Sequence, residues 1–170
     1  MRGLPAALFV FLLTGGCDSG PATLVTPTKI DRTTETASRF PEVAAVALVG
    51  SYPAAAKSGG GYFYDDVLEY RVWVEGGAGD GNDGYSAFAC YEHAKRFADA
   101  TPAAQGVVAL VRQKEWFDEP SKGQFVHKTG TRLTEWLPDW LGPQRRTPDA
   151  ISEFRKTHAA AMTEGGKVNE

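Results

Sequence analysis

The sequence is poor in the residues that build covalent and metal-based sites. Its 170 residues include two cysteines, Cys17 and Cys90, and three histidines, His93, His127 and His158. No Cys-x-x-Cys or His-Glu-x-x-His pattern occurs, which argues against a zinc ribbon, a thioredoxin-type site and a preformed histidine metal site. We therefore expect no metal, and we expect a hydrophobic core rather than disulfides to stabilise the fold.

An excess of positive charge is also lacking. Lys and Arg number 18 against 21 Asp and Glu, which leaves a net charge of −3. A chain without a basic field does not attract nucleic acid, so we expect no nucleic-acid partner. The content of 42% hydrophobic and 23% charged residues is typical of one ordinary globular domain and not of a disordered chain.

The N-terminus carries a short apolar run at 4–13, preceded by Arg2. The run is too short to cross a bilayer, but it is typical of an export signal. Thr14-Gly15-Gly16 before Cys17 resembles the lipobox of bacterial lipoproteins, in which the cysteine carries lipid. The sequence thus predicts a signal peptide at 1–16 and lipidation of Cys17.

A lipidated Cys17 predicts a protein that is anchored to a membrane of the cell envelope and faces the periplasm. Asp18 resembles the signal that keeps some lipoproteins in the inner membrane, which is slightly favoured for that reason. An ordinary cleaved signal is one alternative, and a true start after Met1 is another.

The remaining chain divides by composition. Residues 17–40 are rich in Thr and Pro without a helical or strand period, which predicts a flexible tether. Residues 41–163 have the patterns of a single folded domain, and 164–170 are predicted to be a disordered tail.

Period and turn residues predict the elements of this domain. Apolar and polar residues alternate over 67–75, and a Gly-rich hairpin loop at 76–84 leads to a partner strand. Residues 43–49 fit a strand or a turn of helix. The other predicted elements are a helix at 91–100, a strand at 106–117, a turn at 118–123, a strand at 124–136 and a helix that begins at Thr147-Pro148-Asp149.

The order β-β-α-β-β-α predicts an α+β fold with a mostly antiparallel sheet of about four to five strands and two helices on one face. Within this sheet the alternation places basic and Trp side chains together on the polar side. We call this predicted surface the Arg/Trp face and expect it to bind a ligand or a partner protein. Its residues are Glu69, Arg71, Trp73, Arg112, Trp116 and Arg132. The structural alternative is that the Trp residues cover a small core while Arg and Glu pair across strands.

Cys90 is the one further residue whose chemistry needs weighing, because it falls at the N-terminus of the predicted helix, with His93 one turn on. A helix N-terminus favours a thiolate, so Cys90 is either a reactive thiol or a small residue in a cap position. No general base or acid can be assigned from the sequence.

Three segments resemble a family of small, uncharacterised proteobacterial proteins that are often labelled GNAT-type N-acetyltransferases. They read GGGYFYDDVLEYRVW at 59–73, LVRQ at 110–113 with DEP at 118–120, and TRLTEW at 131–136. The resemblance implies an acetyl-CoA cofactor, held by a loop of the form Gln/Arg-x-x-Gly-x-Gly/Ala between a strand and a helix. Gln105-Gly106 lacks this spacing, so the cofactor loop would be degenerate.

Two functions therefore follow from the sequence. The first is an envelope lipoprotein whose domain binds an envelope protein or a small molecule through the Arg/Trp face, without a cofactor. The alternative is a GNAT-like acetyl-CoA-dependent N-acetyltransferase. Compartment separates them, because acetyl-CoA is a cytoplasmic metabolite.

Overall fold

The computed structural model describes residues 38–76 and 83–163, which belong to one unit that spans Glu35–Glu170. The predicted signal peptide, Cys17, Asp18, most of the predicted tether and the predicted tail at 164–170 lie outside the described residues. The strands are β1 (Lys57–Ser58), β2 (Asp66–Val74), β3 (Gly84–Phe88), β4 (Ala104–Ser121), β5 (Gln124–Trp136) and β6 (Met162–Thr163). The helices are α1 (Tyr91–Ala100) and α2 (Ala150–Thr157), with short 3-10 turns at Val46–Leu48, Pro138–Trp140 and Ala159–Ala161.

The strands form one mixed sheet in the order β1-β5-β4-β2-β3, and β6 also pairs with β5. All pairs among the long strands are antiparallel, whereas the two-residue strands β1 and β6 run parallel to β5. The prediction of an α+β fold with a mostly antiparallel sheet and two helices is therefore confirmed. The two short parallel strands have no periodic signal in the sequence, because two residues are too few to show one.

The main core lies between the sheet and α1. Tyr70 and Val72 of β2 pack with Val107, Ala109 and Val111 of β4, and all five are fully or almost fully buried. Further members of this cluster are Val43, Tyr64, Val67, Ala94, Trp136 and Leu141. Ala94 is the α1 residue whose small side chain lets the helix approach the strands closely.

The alternation predicted for β2 breaks near its start. The pairing with β4 shifts between Val67 and Glu69, so that Val67, and not Leu68, joins Tyr70 in the core cluster. A β-bulge adds one residue to one strand and thereby exchanges the sides of the residues that precede it. The alternation over 67–75 predicts that Leu68 lies on the side of Tyr70, and this prediction is wrong because of the bulge.

β4 and β5 form the longest hairpin of the sheet. The predicted turn at 118–123 is too long, because Ser121 still pairs with Gln124 and leaves only Lys122-Gly123 at the tip. Gly123 has a φ of +75°, a left-handed conformation that glycine adopts without strain. The hairpin extends beyond the first residue of β2, which pairs with Arg112.

α2 packs on this far part of the hairpin through one aromatic side chain. Phe154 stacks on Phe117 of β4 with ring centroids 4.4 Å apart, and it meets Phe125 of β5 edge-on at 5.1 Å. The helix begins at Ala150, with Asp149 at the N-cap position but without a side-chain capping hydrogen bond. The predicted start at 147–149 therefore lies just before the observed helix.

The predicted tether ends earlier than position 40. Ser38 donates a hydrogen bond to Glu92 at 2.6 Å, and Arg39 forms an ion pair with Asp139 at 2.9 Å. Phe40 packs on the core. The domain thus includes residues from Ser38 onward. Among the described residues, no helix has the length and apolar character that a membrane span requires.

Candidate functional site

Glu69 and Arg71 of the predicted Arg/Trp face are completely buried. Arg71 Nε donates to Glu69 Oε1 at 2.7 Å, and Arg71 Nη1 donates to Glu135 Oε1 at 3.0 Å. Trp73 Nε1 donates to the same oxygen of Glu135 at 3.1 Å. Opposite charges that are both buried need such hydrogen bonds, because desolvation would otherwise make them costly.

The loop that precedes β1 covers this network. Arg71 Nη2 donates to the carbonyl of Pro53 at 2.7 Å, and Nη1 donates to that of Ala54 at 3.2 Å. The backbone N–H of Gly50 donates to Glu69 Oε2 at 2.7 Å. The guanidinium also lies over the ring of Tyr85, at 4.3 Å from its centroid. Arg71 therefore binds a segment of its own chain.

The prediction of an open Arg/Trp face is wrong for β2. Strand alternation states which side of the sheet a residue takes, but it does not state whether another segment lies on that side. Here the polar side of β2 is a second buried layer, and its charges are neutralised within the chain. The structural alternative, in which Arg and Glu pair across strands, describes Arg71 of β2 and Glu135 of β5, whereas Glu69 pairs with Arg71 within β2.

Arg112 lies in a separate and partly exposed ion pair. Its Nε donates to Asp66 Oδ2 at 3.0 Å, and its Nη2 contacts the same oxygen. Asp66 is the residue of β2 that faces Arg112 in the register of the sheet, so this pair joins the two strands at the end of their pairing.

Arg132 and Trp116 form a third group, on the hairpin. The guanidinium of Arg132 lies 4.3 Å from the centroid of the Trp116 ring, which is a cation–π contact. Arg132 Nε donates to Gln113 Oε1 at 2.6 Å, and Nη1 donates to Asp118 Oδ1 at 3.1 Å. Trp116 Nε1 donates to the same carboxylate oxygen at 2.9 Å. The six predicted site residues therefore lie in three groups and do not share one surface.

Arg132 Nη2 is the one buried side-chain nitrogen or oxygen in the described part of the chain that has no hydrogen-bond partner. Burial lowers the pKa of Arg132, whereas the nearby carboxylate of Asp118 raises it. A guanidinium keeps its charge in proteins, so Nη2 is an unused donor of a charged group. It lies against Gly60 and Gly61, because a Cβ added to these glycines would be 3.7 Å and 2.6 Å from it.

The segment Gly59-Gly60-Gly61 forms a wall beside this group. All three residues have positive φ angles, of +61°, +86° and +77°. A Cβ on Gly61 would also collide with Gln113 Nε2, so only glycine lets the backbone pass here. Trp136 Nε1 donates to the carbonyl of Gly60 at 3.2 Å and holds the segment in place.

A cleft of about 850 Å³ is lined in part by Gly60 and Gly61 of this wall. We call it the Trp140 cleft, after the indole that is 46% exposed at its edge. Its lining residues are Gly60, Gly61, Tyr62, Asp118, Glu119, Pro120, Trp136, Trp140 and Gln144. Two other clefts, of about 430 Å³ beside α1 and about 310 Å³ beside α2, are smaller.

Tyr62 and Glu119 are coupled within the cleft. The Tyr62 hydroxyl donates to Glu119 Oε2, and the backbone N–H of Gly123 donates to Glu119 Oε1 at 2.6 Å. Burial, together with the neighbouring carboxylate, raises the pKa of Tyr62 to about 12. The hydrogen bonds from Gly123 and Tyr62 lower the pKa of Glu119. Glu119 is therefore a carboxylate near neutral pH, and Tyr62 is a neutral phenol.

The sequence reasoning missed this cleft. Its residues come from the Gly-rich segment before β2, from the tip of the β4–β5 hairpin and from the turn after β5. The quoted GGGYFY and DEP segments supplied a signal, because several of these residues fall in them. The exposed Trp140 falls in none of the quoted segments, and its position depends on the chain path after β5.

The predicted hairpin between β2 and β3 is confirmed by the register Val74↔Gly84. Most of its Gly-rich loop lies outside the described residues, and Asp83 at its end accepts a hydrogen bond from the backbone N–H of Gly76 at 3.3 Å. Cys90 is a partly buried free thiol at the N-cap position of α1, without a capping hydrogen bond from its side chain. Whether Cys90 is a reactive thiol or a packing residue stays a prediction from the sequence.

The three histidines lie in different places, as their spacing indicates. His93 is an exposed α1 residue, and His158 stacks on Phe154 at 4.1 Å. His127 Nε2 lies 2.7 Å from Glu115 Oε1. Within residues 38–76 and 83–163, no group of three or more His, Cys, Asp or Glu side chains is placed to hold a metal ion.

The described residues do not fit acetyl-CoA at a glycine loop between a strand and a helix. Gln105 and Gly106 lie inside β4. The connection from β3 to α1 consists of Ala89 and Cys90, and the helix α2 follows a Pro148-Asp149 segment whose carboxylate would repel a pyrophosphate. Neither connection contains the Gln/Arg-x-x-Gly-x-Gly/Ala pattern whose glycine backbone would hold the pyrophosphate at a helix N-terminus.

No protein-family model, no curated protein and no solved structure matches this chain significantly.

Proposed function

We propose that this protein is a lipid-anchored ligand-binding protein of a bacterial cell envelope, and that its binding site is the Trp140 cleft. The apolar run at 4–13 and the small residues before Cys17 support the anchor. The observation that carries the binding function is the half-exposed indole of Trp140 in a cleft of about 850 Å³ that is also lined by the carboxylates of Asp118 and Glu119.

A volume of about 300–1,000 Å³ with aromatic walls and a few polar groups is typical of small-molecule sites. Trp is enriched among the residues that contribute most to binding energy, so an indole held in the open in a cleft with Asp118 and Glu119 favours a recognition role. The binding surface proposed from the sequence thus moves from the buried Arg71 to the cleft beside Arg132.

The anchor is tested by labelling cells with a radioactive fatty acid while they express the full chain. We expect label in the wild type and in Cys90→Ala, the matched control, and loss of label in Cys17→Ala. Label that persists in Cys17→Ala, or absence of label with a cytoplasmic protein, would contradict the anchor.

The binding site is tested by fluorine NMR of the full chain in detergent, with 5-fluorotryptophan at its four Trp positions. The Trp140 resonance is assigned by its absence from Trp140→Phe. We expect an extract of the producing bacterium's envelope to shift or broaden this resonance. Leu137→Ala, which removes an equally exposed apolar residue outside the cleft, is expected to respond like the wild type. A Trp140 resonance that does not respond would refute the proposed site.

A further inference from the structure

We infer that the Trp140 cleft binds an uncharged, hydroxyl-rich ring, a pyranose unit of a glycan, with one face of the sugar stacked on the indole of Trp140. This inference rests on the proposed binding function and names the class of ligand.

Trp140 is the most exposed aromatic residue of the cleft, and Tyr62, which also lines it, packs against Phe125 and Phe154. Trp140 is 46% exposed, whereas the neighbouring Trp136 is 1% exposed. Their rings meet edge to face, with centroids 6.4 Å apart and an angle of 73° between the planes. Trp136 therefore supports Trp140 and offers almost no face of its own. A cage for an ammonium ion needs several accessible aromatic faces, whereas one open face suits a flat stacked ring.

The indole of Trp140 is held in position before a ligand arrives. Trp140 lies in the 3-10 turn Pro138–Trp140, and its backbone N–H donates to the carbonyl of Leu137 at 2.9 Å. A Cβ on Gly59 would lie 3.6 Å from the Trp140 ring, so the glycine segment lies against the indole. A side chain that is already ordered loses little conformational entropy on binding.

The polar groups of the cleft are mainly hydrogen-bond acceptors. Asp118 Oδ1 accepts bonds from Trp116 and Arg132, but no described residue donates to Asp118 Oδ2. Gln144 adds a side-chain amide that bonds to none of the described residues. Carboxylate and amide oxygens arranged in this way suit a ligand that carries many donors, as the hydroxyl groups of a sugar do.

The charges of the cleft favour a neutral ligand. Asp118 forms an ion pair with Arg132 at 3.1 Å, and Glu119 lies near Lys122. Because each carboxylate already has a positive neighbour, the attraction for a ligand cation is weakened. An anionic ligand would meet both carboxylates at close range. An uncharged ligand does not depend on the attraction for a cation and is not repelled by the carboxylates. Its hydroxyl groups can still donate to the acceptor oxygens.

The test is a titration of the full chain in detergent, measured by isothermal calorimetry. The probes are soluble tetrasaccharides of N-acetylglucosamine, glucose, mannose and galactose, with choline as the cationic probe and citrate as the anionic probe. We expect saturable binding of at least one tetrasaccharide and no binding of choline or citrate. Trp140→Ala should weaken that binding by about tenfold or more, a loss equivalent to one stacking contact.

Matched variants separate stacking from folding. Trp140→Phe keeps an aromatic face and should retain part of the affinity, whereas Leu137→Ala should bind like the wild type. Thermal unfolding should be similar in all three variants, because Trp140 and Leu137 are both half-exposed. Equal sugar binding by the wild type and Trp140→Ala would overturn the inference.

The outcomes also distinguish this inference from the proposed function. Trp140-dependent binding of choline or citrate without any tetrasaccharide would overturn the sugar inference and leave the cleft as a binding site. A Trp140 fluorine resonance that responds to envelope extract while no tetrasaccharide binds would also overturn the sugar inference and leave the cleft as a binding site. Failure of both the extract and every probe would refute the proposed binding site as well.

Discussion

Replacement of Arg71 by methionine should lower the free energy of unfolding by about 3–5 kcal/mol, because it removes one partner of a buried ion pair. Arg71 and Glu69 are both 0% exposed. The variant leaves the Glu69 carboxylate buried with only the N–H of Gly50 as a donor, and it deprives the carbonyls of Pro53 and Ala54 of theirs. The loss is a large fraction of the about 5–15 kcal/mol that stabilises a typical domain.

The assay is urea denaturation of the wild type and the variant near pH 7, monitored by tryptophan fluorescence and circular dichroism. Arg39→Met is the matched control, since it breaks an ion pair of similar length whose side chains are 77% and 73% exposed. We expect the control to lose less than about 1 kcal/mol. A loss in Arg71→Met as small as that of the control would refute the argument that this network holds the 50–54 loop on the sheet.

A second variant keeps the test informative if Arg71→Met does not fold. The double variant Glu69→Gln/Arg71→Met removes the uncompensated charge together with its partner. It should therefore be more stable than Arg71→Met alone, by an amount that measures the cost of the unpaired Glu69 carboxylate. Equal stability of the single and double variants would show that the buried charge is not the cause of the loss.

Four further predictions concern the cleft and α2. Gly61→Ala should destabilise the domain by about 1 kcal/mol more than Gly123→Ala in urea denaturation, because both have positive φ but only Gly61 lies against other side chains; equal losses would contradict the close approach. Because the pKa of Tyr62 rises from 10.0 to about 12 on folding, wild-type stability should fall as the pH rises from 10 to 12, and it should fall less in Tyr62→Phe. Glu119→Gln should lower that pKa, measured by carbon NMR of labelled tyrosine, and an unchanged value would refute the coupling. Phe154→Ala should cost about 2–4 kcal/mol in urea denaturation, since a half-buried aromatic residue that packs on the hairpin is lost, and a cost below about 1 kcal/mol would show that α2 is held by other contacts.

The elements with strong local signals could be predicted from the sequence. The helix at 91–100 was bounded by its apolar stripe and by Thr101-Pro102, and the observed α1 has the same limits. The strand at 124–136 was likewise predicted with its observed limits. The strand predicted at 67–75 is observed one residue earlier, as β2 at Asp66–Val74. Short-range period and chain-breaking residues determine these features, so no tertiary information was needed.

The face of the sheet on which each strand residue lies could be predicted only where the pairing of strands is regular. The shift between Val67 and Glu69 in β2 and the shift between Gln113 and Glu115 in the hairpin both change which residues face together. A bulge depends on how two strands fit each other and has no reliable signal in one strand alone. The proposed grouping of Arg71, Arg112 and Arg132 on one surface failed partly for this reason.

The sequence by itself determined the α+β class and the order of the main elements, because both depend on residues that are near one another in the chain. Only the tertiary structure decided which polar residues are covered and which are open. Arg71 looks like a surface residue in an alternating strand, yet a loop about twenty residues upstream accepts its hydrogen bonds. Trp140 looks like a core residue by its type, yet it lies open at a cleft. Burial depends on contacts between segments that are distant in sequence. Such contacts cover the part of the predicted binding face that lies on β2, and they form the candidate site beside Arg132.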